Sequence, residues 1–172
     1  MIARPTADEF APFYAGYIDK VPSSGPVATL DAQRSAIGAL AALPAQKATY
    51  RYAEGKWSVN EVLGHLADAE RVFAYRLLRV ARADSTPLAG FDENAWAEVA
   101  PYHSRPVSEI VQELLAVREA TLALVRSLDE AALLRQTVAN GKVVSGRALC
   151  WILAGHTQHH LGILRERYGV TA

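Results

Sequence analysis

One cysteine in 172 residues leaves no internal disulfide to build, which excludes a disulfide scaffold and fits a reducing compartment. Local spacing sets no histidine or basic group beside Cys150, so it reads as a small thiol on a helix surface rather than a nucleophile. Long apolar runs are also missing. Nothing approaches the roughly 18 residues of a membrane span, and Asp8 and Glu9 stand where a signal peptide needs a basic flank and an apolar centre. A cytoplasmic location without membrane contact is the expectation. Charge of one sign is absent too: 18 Lys and Arg balance 18 Asp and Glu. Nucleic-acid binding needs a basic face, and the nearest thing to one, Arg71, Arg76, Arg79 and Arg82, is flanked by Glu70 and Asp84. We read these arginines as a solvated helix face with one or two inward members, and expect no nucleic-acid partner. No period of roughly 20–50 residues recurs, which excludes a solenoid. The 51% apolar share suits a single domain over residues 1–172 with a sizeable core.

What the chain does concentrate is histidine. Three of its five, His156, His159 and His160, fall within five residues of an apolar, helix-like run. At about 100° per residue, positions 156 and 160 lie about 40° apart and one turn along the same face. They share a stripe with Leu149, Ile152, Leu153, Ile163 and Leu164, while His159 falls at its edge. A buried imidazole without a partner costs about 1–3 kcal/mol. The pair alone leaves two readings open: core histidines satisfied by carbonyls or water, or metal ligands.

A third histidine stands in a well-marked helix. Ser58 and Glu61 form an S-x-x-E capping box, Trp57 and Val62 are spaced as a hydrophobic staple, and the stripe Val62, Leu66, Ala69, Val72 and Phe73 contains His65. The blocks Tyr52-Ala53-x-Gly55-Lys56-Trp57-Ser58, Gly64-His65-Leu66-Ala67-Asp68-Ala69-Glu70-Arg71 and His156-x-x-His159-His160-Leu161, in this order, resemble the DinB-like superfamily with its YfiT-type members. The resemblance covers most of the chain. It implies a four-helix bundle carrying a divalent metal on one histidine of the second long helix and two of the last. Matched position by position, those are His65, His156 and His160.

The pattern along the chain predicts an all-α architecture: a short leading helix over residues 6–18, then bundle helices over 29–43 and 58–82, from Pro106, and after Ser145. Residues 88–96 should cross from the second to the third, which would place those two in the same direction. The third should supply packing and no chemistry. Residues 137–144 hold the turn signal Asn140-Gly141 and can form a hairpin or a loop. His103 should be a surface residue.

Three neutral imidazoles suit zinc, nickel or iron and leave coordination open for water or substrate. The resemblance implies a metal-dependent enzyme of thiol-dependent transferase or hydrolase type, acting on a small molecule, with a low-molecular-weight thiol as one candidate. A binding or sensing module without turnover and a structural metal clamp are the alternatives. Asp68 either orients an imidazole or makes a surface salt bridge. The 88–96 segment is the one long stretch free to cover the site, where Asp92 or Glu93 could close it. Trp151, Ala154, Leu161 and Tyr168 make a second stripe opposite the metal face, to be covered by a homodimer partner or by the leading helix.

Overall fold

The computed structural model describes residues 1–171. Its elements in chain order are α1 (Ala15–Ile18), α2 (Gly25–Ala39), α3 (Ala45–Ala48), α4 (Val59–Ala81), α5 (Glu93–Val99), α6 (Val107–Arg126), α7 (Glu130–Leu134), β1 (Gln136–Ala139), β2 (Lys142–Ser145) and α8 (Gly146–Tyr168). The caps announced by the sequence set the two site-bearing helices. Ser58 Oγ accepts from the Glu61 amide, the Glu61 carboxylate accepts from the Ser58 amide at 2.6 Å, and Ser145 Oγ accepts from the Ala148 amide at 3.0 Å.

The long helices α2, α4, α6 and α8 form a four-helix bundle in which α2 and α4 each pack on both α6 and α8. After α4 the chain crosses back to the start of that helix: Asn60 donates to the Arg105 carbonyl at 2.8 Å, and the Tyr102 ring lies against Gly64. α6 therefore starts beside the start of α4 and runs parallel to it. α8 runs the other way, bringing Tyr168, near its end, to donate to the carbonyl of Trp57 at 2.6 Å. No helix among the described residues is long and apolar enough to cross a membrane.

Several local expectations need correction. The leading segment is two 3-10 turns, Ala7–Glu9 and Pro12–Tyr14, followed by the four residues of α1, because Pro12 interrupts any continuous ladder. α2 begins at Gly25 instead of position 29, since Pro26 is tolerated in a first turn. The 137–144 segment is a hairpin whose turn holds Asn140 at φ 51° and Gly141 at φ 70°. Residues 88–96 are not free. Leu88 is hydrogen-bonded on both sides to β1 and its turn, through Val138 and Asn140, each at 2.9 Å, and Arg76 holds the Ala89 carbonyl at 2.8 Å.

The core carries charge that the sequence pattern hid. Arg118 on α6 is fully buried and makes a two-armed ion pair with Glu70 on α4, both bonds at 2.8 Å. It also reaches the Leu30 carbonyl, Gln33 and Thr157, so one side chain ties all four bundle helices. The third helix thus adds a buried ion pair to its packing role, and none of its residues lines the histidine cavity. Cys150 is buried with no surface exposed, and burial pushes its thiol up to about 12. The second stripe of α8 is mostly filled from within the chain: Trp151, Ala154 and Tyr168 are buried, Leu161 is half-buried, α1 packs on α8, and Arg4 lies over the Trp151 ring. That stripe therefore gives no ground for a homodimer.

Candidate metal centre

Each helix brings its histidine close to a neighbour by placing glycine just before it. A Cβ on Gly64 would fall 2.2 Å from the Tyr102 ring, and one on Gly155 would fall 2.0 Å from the Tyr17 carbonyl oxygen. The first contact seats the end of the crossover on α4 beside His65. The second presses α1 on α8, so that the Tyr17 ring stands edge-on over His156 at 5.3 Å.

His65, His156 and His160 converge, with one nitrogen of each lying within 4.8 Å of the others. The Nε2 atoms of His65 and His156 face each other at 3.1 Å. One proton or one shared cation satisfies that pair, whereas two protons would collide. His160 Nδ1 is buried with no protein partner. His156 is buried and the other two are partly exposed. Burial lowers all three: His65 to about 4, opposed by the charge of Glu93, His160 to about 3, and His156 well below its usual value, with its histidine neighbours adding to the effect. Neutral imidazoles with open lone pairs are the form a divalent metal takes, and the orphaned nitrogen fits that donor set.

The cluster opens on a cavity of about 480 Å³ walled by Tyr14, Tyr17, Trp57, Phe73 and Phe91, with Arg76 and Glu93 as its charged members. The crossover does contribute wall, as expected, but its two acids separate. Asp92 caps α5, accepting from the amides of Asn94 and Ala95 at 3.0 and 3.1 Å, and is thereby occupied. Glu93 lines the cavity. Asp68 takes the salt-bridge reading, with Arg71 at 3.4 Å and the Tyr102 hydroxyl donating at 2.9 Å. His159 stays outside the cluster against Tyr17, and His103 is exposed beside the Ser58 hydroxyl.

Sequence reasoning missed Tyr14, Tyr17 and Arg76 as site walls. The aromatic run of the leading segment was the available signal, but nothing local says that Pro12 and the bare α8 surface at Gly155 fold it over the histidines. Arg76 was anticipated only as one of four arginines on a face with one or two inward members.

The profile of the DinB superfamily matches residues 28–164. A protein of Geobacillus thermodenitrificans, named as an inferred metal-dependent hydrolase, is 32% identical over 146 residues, covering 81% of this chain and 79% of that protein. One from Oceanobacillus iheyensis with the same description is 29% identical over 117 residues, and the match spans 66% of each, just under two thirds of that relative's length. Among solved structures, YfiT from Bacillus subtilis, described as an inferred metal-dependent hydrolase with an unusual four-helix bundle topology, superposes with a TM-score of 0.68 at 19% identity over 98% of this chain and 95% of its own. That likeness is one of fold.

Proposed function

The chain belongs to the DinB superfamily, and we propose that it is a divalent-metal-dependent enzyme of hydrolase type, acting on a small molecule in the cavity beside His65, His156 and His160. The observation that carries this reading is the opening of the histidine cluster onto that cavity. A clamp joining two helices needs no such space.

In this reading His65, His156 and His160 hold the metal, kept neutral by burial and aimed by α4 and α8. A divalent cation held by these three imidazoles would act as a Lewis acid, which would polarise a substrate carbonyl and make water or a thiol a better nucleophile. Tyr17, Trp57 and Phe73 pack against the imidazoles and shield part of them from water. Glu93, the one carboxylate on the cavity wall among the described residues, takes the nucleophile's proton and returns it to the leaving group. Zinc, nickel and iron all suit the donor set. The relatives' names favour water over a thiol as the nucleophile, which makes hydrolysis the first reading and thiol transfer the second.

The test is a screen of metal-loaded protein with small esters and amides, with and without an added low-molecular-weight thiol, beside His156→Ala. Hydrolysis that needs the metal and vanishes in His156→Ala is expected, with Glu93→Gln slowing it by about 10²–10⁴-fold. Turnover only when thiol is present would move the assignment to a transferase. Equal rates in wild type and His156→Ala would rule out a metal-centred reaction.

A further inference from the structure

Arg76 is 3% exposed, yet no carboxylate pairs with it among the described residues. The contrast within the bundle is direct: Arg79 on the next turn pairs with Asp84, and buried Arg118 pairs with Glu70 through both arms. Arg76 instead donates to the Ala89 carbonyl at 2.8 Å and keeps its Nε buried without a partner. Its guanidinium carbon lies 5.9 Å from the Phe73 ring and 6.0 Å from the Phe91 ring, and the Tyr14 hydroxyl is a hydrogen-bond neighbour. Aromatic faces, one carbonyl and one tyrosine hydroxyl return only part of the hydration that a buried cation gives up, and none of them carries the negative charge that would pair with it. All four of these side chains line the cavity that holds the histidines.

The geometry points to Arg76 as the anchor for a carboxylate on the substrate. The cavity then takes a small acid: its carboxylate sits on the guanidinium, and its apolar body lies along Phe91 and Phe73. Phe73 also stands edge-on to His156 at 5.5 Å, so a molecule extended along that ring leads from the anchor to the imidazoles. A guanidinium held between two rings is oriented before the ligand arrives, which favours a planar carboxylate over a neutral group of the same shape. Glu93 shares the cavity and would repel the acid, which confines the anion to the Arg76 end.

This inference rests on the cavity being the substrate site, and its test is binding, so it stands apart from whether the metal reading holds. Calorimetric or NMR titration with phenylacetate and its neutral isostere phenylacetamide is run on chelator-dialysed and on metal-loaded protein. Wild type should prefer the acid by about tenfold or more with the metal absent, as expected for a charged hydrogen-bonded contact. Arg76→Gln should erase the preference while leaving amide binding unchanged. Arg76→Lys keeps the charge without the fork and should retain part of it, which also serves should Arg76→Gln fail to fold. Glu93→Gln should strengthen acid binding. Equal affinity for acid and amide in the wild type overturns the inference, as does a preference that persists in Arg76→Gln. A preference seen only with metal loaded and indifferent to Arg76 assigns the anion to the metal and overturns it as well.

Discussion

Gly155 and Gly162 sit two turns apart on α8 and should answer the same substitution with opposite signs. At Gly162 an added methyl meets nothing within 4 Å, so Gly162→Ala should stabilise by about 0.5–1 kcal/mol through helix propensity alone. At Gly155 it would collide with the rigid Tyr17 backbone, and Gly155→Ala should destabilise by about 1–3 kcal/mol while lifting the aromatic cover off His156. Urea denaturation of the two variants decides this, and equal shifts would deny the close approach. The Glu70 and Arg118 pair gives a second residue-scale prediction. Glu70→Leu strands a buried guanidinium and should cost about 3–5 kcal/mol, whereas Glu70→Leu with Arg118→Met should recover much of that loss. A double variant no more stable than the single would show that the pair is not the source of the cost.

At the scale of elements, capping chemistry made α4 and α8 legible. A serine before an apolar run with glutamate three residues on is a local signal, and it fixed the phase that turned His65 inward. Tertiary choices left no such mark. Whether Pro12 breaks the leading helix, which face of α8 that segment covers, and how Leu88 joins the hairpin all depend on surfaces brought together only in the folded chain. The buried Arg118 escaped notice because its partners lie 39 to 88 residues away. The leading segment is held by Glu9, which accepts from Arg147 and from Ser145 Oγ at the start of α8. Arg147 foremost, against the cost of burial and with Ser145 and Thr6 assisting, holds the Glu9 carboxyl down at about 2. Its folded value lies below the unfolded one, so this contribution is present above about pH 4.5 and is lost as pH falls towards 2. Glu9→Gln should therefore be less stable than wild type at pH 6 and approach it near pH 2. A constant gap across that range would contradict the assignment.

For the whole molecule, periodicity and caps gave the long helices and turned His65, His156 and His160 inward, while the four-helix bundle and the convergence of the three histidines came from the resemblance to the DinB-like superfamily. The parallel α4 and α6 followed from the length of the crossover. The crossover's share in the cavity wall was legible, whereas the shares of the leading segment and the hairpin turn were not, since nothing local brings either to the histidines. Burial of the imidazoles ties stability to pH for the molecule as a whole. The folded values of His65 and His160 lie below the unfolded value near 6.5, so the unfolded chain binds more protons in between. Metal-free protein should hold its full stability above about pH 6.5 and lose it progressively towards pH 4, and metal release should follow the same direction. Denaturation midpoints that stay flat from pH 7 to pH 5 would argue against neutral, buried imidazoles.

The central claim, that His65, His156 and His160 together hold one divalent metal, is tested most directly by elemental analysis of purified protein. Wild type, His159→Ala and His103→Ala should each carry one metal per chain, while His65→Ala, His156→Ala and His160→Ala should each lose it. Full occupancy in any of the three cluster variants, or loss in His159→Ala alone, would contradict the account.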